Sequence, residues 1–177
     1  MTETILFPSS IGLQEIVYHD KIQVMQRVVA QFDGFSKEYI VSDHGQRAAL
    51  VVVREGEVLL TKQYRLLIND ISLEIPGGRV AEEESPDDAA RRECLEETGV
   101  KCSALKPLIF YHPSLDVIKN FTWIFYTENV HEIADNNVER RAWVPLSRCM
   151  DMIFYGKGIL DGMSILALLS YMTKIKK

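Results

Sequence analysis

GRVAEEESPDDAARRECLEETGV, residues 78–100, is the stretch from which the rest of the chain is read. Ser85 has the short oxygen-bearing side chain that N-caps a helix, Pro86 suits the first helical position, and Asp87 and Asp88 sit well near the positive end of the helix dipole. Gly99 is the C-terminal stop. On such a helix residues three and four apart share a face, so Glu93, Glu96 and Glu97 project together, with Arg92 near Glu96 at the i, i+4 spacing. Three carboxylates on one face repel one another unless something cationic sits there, and Mg²⁺ or Mn²⁺, hard ions that take oxygen ligands, resolve the strain. Magnesium held by a few carboxylates fills its other positions with water and substrate phosphates, which points to phosphate chemistry. A solvated acidic surface helix is the ordinary alternative.

Immediately before this segment, Ile71–Ile75 is a short strand ending in Pro76-Gly77-Gly78, read as a glycine loop whose bare backbone can approach a metal or a phosphate. Further upstream, Ala48–Val53 and Val58–Lys62 are apolar runs joined by Glu55-Gly56-Glu57, a pair of strands from a buried sheet. Residues 22–32 and 38–41 flank Asp33-Gly34 and predict an N-terminal hairpin. Downstream, strands are expected at Pro107–Tyr111, Phe121–Tyr126 and Arg141–Val144. Loops are expected at Pro113–Asp116 and Glu132–Glu139, and helices at Leu146–Tyr155 and Met163–Met172. Strands and helices mix without a regular βαβ rhythm, so the fold class is α/β of the α+β kind, a mixed sheet with helices packed on it.

The 177 residues are 47% hydrophobic and 25% charged, ordinary for one soluble domain and enough for a core without staples. Twenty basic against 25 acidic residues, a net −5, build no electropositive field for nucleic acid. Cys94, Cys102 and Cys149 are odd in number and lack CxxC spacing, so reduced thiols and a cytoplasmic location are expected. No signal peptide and no membrane-spanning stretch is expected either. His19, His44, His112 and His131 are too scattered for a zinc site.

The spacing inside residues 78–100 is more specific than its acidity. Gly78, Glu84, Arg92-Glu93, apolar Cys94, Glu96-Glu97, Gly99 and apolar Val100 fill one fixed pattern. With each of seven fixed positions matched by chance at roughly 6–7%, the coincidence is about one in 10⁸ per starting point. In this pattern the chain resembles the Nudix hydrolases, with Cys94 where the family usually has an aliphatic residue. The resemblance implies an α/β/α sandwich with a mixed sheet, and Mg²⁺- or Mn²⁺-dependent hydrolysis of a nucleoside diphosphate linked to another group. By position, Glu93 and Glu97 would be the main metal ligands, Glu96 a further one, and the Gly77 carbonyl would complete the site. Arg92 would orient the glutamates and Glu84 would support the loop and helix.

Outside that pattern, KQYR at 62–65 and ISLEIPGG at 71–78 resemble the ADP-ribose and nucleotide-sugar pyrophosphatase branch. That likeness implies a small-molecule nucleotide substrate, with no nucleic acid and no membrane as partner. Arg65 would contact its phosphate, and Arg47 and Gly78 would also bind it. It further implies an extension over residues 1–44 that forms a homodimer in which each subunit helps to close the other's site, ahead of a catalytic domain over 45–177. The Glu132–Glu139 loop lies where this branch often places a general base, with Glu139 favoured over Asp135 because it directly precedes a strand. Pro113-Ser114-Leu115-Asp116 departs from the Ser-Pro-Gly element common in the branch, so a GDP- or UDP-linked hexose stays open beside ADP-ribose. A catalytically silent module that binds such a metabolite, and a hydrolase of another nucleoside diphosphate derivative, are the alternatives.

Overall fold

The computed structural model describes residues 6–133 and 137–175. It divides into two compact units. One comprises residues up to Gly45 together with His112–Phe121, and the other Gln46–Tyr111 with Thr122 onward.

In the first unit the N-terminal extension is larger than a hairpin. Strands β1 (Ser10–His19), β2 (Val24–Phe32) and β3 (Phe35–Asp43) form an antiparallel meander, and β10 (Ile118–Lys119) adds a short parallel strand beside β3. The expected turn at Asp33-Gly34 joins β2 to β3, with Gly34 at φ 83°, the left-handed region that a two-residue hairpin requires. Strand β1 was not anticipated. Its register on β2 slips between Leu13 and Glu15 and again between Ile16 and Tyr18, so its side chains do not keep the clean alternation that marks a strand in sequence.

The second unit is built on a seven-stranded sheet. Strands β4 (Arg47–Arg54), β5 (Glu57–Arg65), β9 (Lys106–Tyr111), β11 (Thr122–Thr127) and β13 (Arg141–Pro145) run in the order β13-β5-β4-β11-β9, with β6 (Asp70–Glu74) on β5 and β7 (Gly77–Arg79) on β4. The β4–β11 pair is parallel and the others antiparallel, so the sheet is mixed. Glu55 and Gly56 both have positive φ, at 52° and 80°, closing the β4–β5 hairpin.

Strand β4 explains the layering. Ala49, Val51 and Val53 point to one face, where they pack with Leu146 and Cys149 of α2 (Leu146–Phe154) and Ala167, Leu168 and Tyr171 of α3 (Gly162–Lys174). Ala48, Leu50 and Val52 point to the other face, against Ala89, Ala90 and Cys94 of α1 (Pro86–Thr98). A strand covered on both faces is apolar at every position, which is why this one reads as an unbroken run.

Two loops need correction. Gly77 and Gly78 are in the strand β7, paired with Ala49 and Ala48, because an extended backbone without side chains fits against the small residues of β4. The Glu132–Glu139 loop begins later than expected, since β12 (Val130–Ile133) pairs with β8 (Val100–Cys102). Neither of these short strands has enough alternating positions to be seen in sequence.

Candidate functional site

Helix α1 begins as its sequence requires. The Ser85 hydroxyl accepts from the Asp88 N–H, Pro86 opens the first turn, and Gly99, at φ 70°, donates its N–H to the Leu95 carbonyl. Burial of Ala89, Ala90, Cys94 and Thr98 fixes the rotation of the helix and turns Glu93 and Glu97 towards β7. Cys94 acts as a fully buried small hydrophobe.

Arg92 gathers the carboxylates of this segment. Its Nε and Nη2 donate to the two oxygens of Glu84, each at 2.9 Å, a bidentate fork. Nη1 donates to Glu93 at 2.8 Å and to Glu96 at 3.2 Å, and Nη2 also reaches the Arg79 carbonyl at 3.0 Å. These contacts hold the Arg92 guanidinium above its ordinary value, Glu84 and Glu93 foremost, and the same fork holds the Glu84 carboxyl below its own. Glu84 accepts in addition from the Ala81 N–H at 3.0 Å, which fixes the turn before the helix.

Glu97 lies one turn further on. Its Oε2 accepts from the Gly77 N–H at 3.1 Å and its Oε1 from Gln63 Nε2 at 3.0 Å. Desolvation pushes this carboxyl up to about 7, aided by the charges of Glu93 and Glu74 and opposed by the Gly77 N–H and by Arg47. A carboxyl that is costly to ionise among other carboxylates gains from a nearby cation. The donor set here is oxygen only, so the residues fit a hard divalent ion in chemistry. As they stand, no three His, Cys, Asp or Glu side chains among the described residues converge on one metal position. Arg92 engages Glu93 and Glu96, while Gln63 and Gly77 engage Glu97.

The glycines are required by close approach. A Cβ on Gly78 would fall 2.2 Å from Glu93 Oε1, and one on Gly77 would fall 2.5 Å from the Ala49 Cβ. The Gly77 carbonyl faces Arg47, whose Nη2 stands 3.5 Å away. Among the described residues Arg47 Nε is a buried donor without a hydrogen-bond partner, and the Arg47 charge acts on Glu97.

Arg65, expected to contact substrate phosphate, forms a fork with a carboxylate on the neighbouring strand. Its Nε donates to Glu74 Oε1 at 2.7 Å and its Nη2 to the other oxygen of the same carboxylate. Glu74 is buried and the Arg65 side chain is half-exposed. The pair borders a cavity of about 270 Å³, also lined by Leu66, Leu67, Leu160 and Asp161. Glu139 is exposed in the turn before β13, and Asp135 lies outside the described residues. This turn is tied to the helix: Asn137 Nδ2 donates to the Glu96 carbonyl at 2.8 Å, and Arg141 Nη1 to the Thr98 carbonyl at 3.1 Å.

Sequence reasoning assigned no role to Gln63 or Glu74. A signal existed, since Thr61, Gln63 and Arg65 alternate along β5 and so share one side of the sheet. The register sets Thr61 opposite Glu74.

An ADP-ribose pyrophosphatase of Bacillus subtilis (strain 168) is 32% identical over 95 residues, 54% of this chain and 51% of that protein. A methanol dehydrogenase activator of Bacillus methanolicus is 34% identical over 79 residues, 45% of this chain and 43% of that protein. The chain thus spans about half the length of the curated relatives it matches. A solved structure described as an ADP compounds hydrolase superposes with a TM-score of 0.79 at 17% identity, covering 98% of this chain and 95% of that one, and so shares its fold. Residues 44–156 match the family described as the NUDIX domain, and the chain belongs to that family.

Proposed function

We propose that the protein hydrolyses the diphosphate of ADP-ribose or a related nucleotide sugar with the help of a divalent metal, giving a nucleoside monophosphate and a sugar phosphate. The observation that carries this reading is the pairing of Glu97 with the Gly77 N–H beside an Arg92 that gathers Glu84, Glu93 and Glu96. The names of the Bacillus subtilis relative and of the structural neighbour support the substrate class.

In this reading Glu93, Glu97, Glu96 and the Gly77 carbonyl hold Mg²⁺ or Mn²⁺. The bound ion supplies charge neutralisation on the diphosphate and lowers the pKa of an attacking water. The chain's own residues do the rest. Arg92 keeps the glutamates oriented, Arg47 and Arg65 bind phosphate oxygens, and Gly78 leaves room for the backbone to approach them. Glu139 takes the proton of the attacking water as a new P–O bond forms and the bridging P–O bond breaks.

Residues 1–44 serve a homodimer in the cytoplasm. Strand β1 supports this, since it is exposed along its whole length with Ile11, Leu13 and Ile16 among its residues. A light-scattering mass near the 20.2 kDa of one chain would overturn the dimer.

The decisive experiment incubates the protein with Mg²⁺ and a panel of ADP-ribose, GDP- and UDP-hexoses, NADH, dinucleoside polyphosphates and capped RNA. Monophosphate release from ADP-ribose or a nucleotide sugar is expected, abolished by EDTA and cut by orders of magnitude in Glu97→Gln. Release from no compound would favour a module that binds a metabolite and acts on a partner, a second reading supported by the likeness to a methanol dehydrogenase activator.

A further inference from the structure

We propose that Gln63 is a positioning residue for the candidate metal centre, its side-chain amide fixing the direction in which Glu97 presents its carboxylate; this rests on the metal-dependent reading above. Gln63 is part-buried on β5, and its Nε2 lies 3.0 Å from Glu97 Oε1. The second Glu97 oxygen is held by the Gly77 N–H of β7 at 3.1 Å. A glutamate side chain has three rotatable bonds, and Glu97 is only partly buried. Donors from two separate strands, one on each oxygen, leave a single orientation.

The direction of the amide follows from charge. A carboxylate that holds a metal ion is ionised and only accepts, so the NH₂ end of Gln63, the end that faces Glu97 Oε1 here, is the one suited to the metal-bound state. Nε2 also approaches Thr61 Oγ1 at 3.5 Å, and Thr61 is buried, so the amide is steadied from its own strand. Among the described residues each Glu97 oxygen accepts one hydrogen bond and keeps lone-pair capacity for a cation. Because the amide is neutral, it orients the ligand without competing with the ion for its charge, as a lysine would. Outer partners of metal ligands of this kind typically set metal affinity by about 10–100-fold.

The test measures Mn²⁺ binding to the full, metal-free chain by the electron paramagnetic resonance signal of free Mn²⁺, so it does not depend on turnover. Gln63→Met keeps the length of the side chain and removes the donor. It should weaken Mn²⁺ binding by about 10–100-fold while the melting temperature of the metal-free protein stays within about 2 °C, a shift below that of 1 kcal/mol. Gln63→Met added to Glu97→Gln should cost nothing beyond Glu97→Gln alone, since the amide acts only through that carboxylate. Wild-type affinity in Gln63→Met alongside weakened binding in Glu97→Gln would overturn the role of Gln63 and leave the metal reading standing. Fully additive losses would overturn it as well. Wild-type affinity in Glu97→Gln would overturn the metal reading itself. Should Gln63→Met fail to fold, the side-chain amide resonances of Gln63 can be followed in the unaltered protein as Mg²⁺ is added. Movement that saturates with Mg²⁺ supports the proposal, and invariance overturns it.

Discussion

Gly78 and Glu93 occupy the same space up to one missing methyl group: a Cβ on Gly78 would lie 2.2 Å from Glu93 Oε1 and 2.5 Å from Oε2. The obstructing atoms are the far end of a flexible side chain, so Gly78→Ala is accommodated by swinging Glu93 aside. Stability should change little, while hydrolysis falls by orders of magnitude, as in Glu97→Gln, because a metal ligand of the proposed reading leaves its place. Gly77→Ala behaves in the opposite way, because its Cβ would meet the Ala49 Cβ at 2.5 Å and the Ala48 carbonyl oxygen at 2.7 Å, which cannot swing. That variant should lose about 1–3 kcal/mol in denaturant unfolding. Wild-type turnover in Gly78→Ala would remove Glu93 from the reaction.

Arg92 is irreplaceable by lysine on geometric grounds. Its guanidinium forks onto both oxygens of Glu84 while a third nitrogen serves Glu93 and Glu96. Lys carries one compact charge and cannot make parallel bonds to Glu84 while reaching the others. Arg92→Lys should therefore keep the net charge and lose about tenfold or more in turnover, with Mg²⁺ affinity falling in parallel when measured by calorimetry. Full activity in Arg92→Lys would show that neutralising the cluster suffices and that orienting it is unnecessary.

Helix α1 was legible because local rules governed it. Ser85, Pro86 and Gly99 are capping signals that act within a few residues, and the 93–96–97 spacing maps onto one face of any helix. The same holds for the β4–β5 hairpin, where Glu55-Gly56 dictates the turn. Strand β7 escaped notice because Gly77-Gly78 is a turn signal by composition and becomes a strand only through the space beside Ala48 and Ala49. Strand β1 escaped because its two register slips break the alternation. The Arg65–Glu74 fork was hidden for another reason: it joins two strands whose register is fixed by the whole sheet, so neither residue signals the other in sequence.

Cysteine reactivity offers a test of the sandwich. Cys149 is fully buried, and desolvation pushes its thiol up to about 11. Because only the thiolate reacts, the native protein at pH 8 should be alkylated at Cys149 roughly 100-fold more slowly than an ordinary thiol, two pKa units being a hundredfold in thiolate. The rate should rise about tenfold for each pH unit until the thiol titrates. Peptide mapping after iodoacetamide treatment reads this directly, with the urea-unfolded chain as reference. Rapid native labelling of Cys149 at pH 8 would contradict the packing of α2 on the sheet.

Arg65 must be separated into what it does for the fold and what it does for a phosphate. Its partner Glu74 is buried, with a side chain only 4% exposed, so Arg65→Ala strands a carboxylate away from water. That variant should melt several degrees lower, since breaking a buried pair by removing one member leaves an uncompensated charge. Loss of activity in it would therefore be uninformative. The double variant Arg65→Ala, Glu74→Gln removes the stranded charge along with its partner and should recover most of the melting temperature. If Arg65 also binds substrate phosphate, KM in the double variant stays raised by roughly 10–100-fold, the worth of a hydrogen bond to a charged group at about 1.5–3 kcal/mol. A double variant with the stability and KM of the unaltered protein would assign Arg65 to the fold alone and leave Arg47, whose buried Nε has no hydrogen-bond partner among the described residues, as the arginine to test against the diphosphate of the proposed substrate.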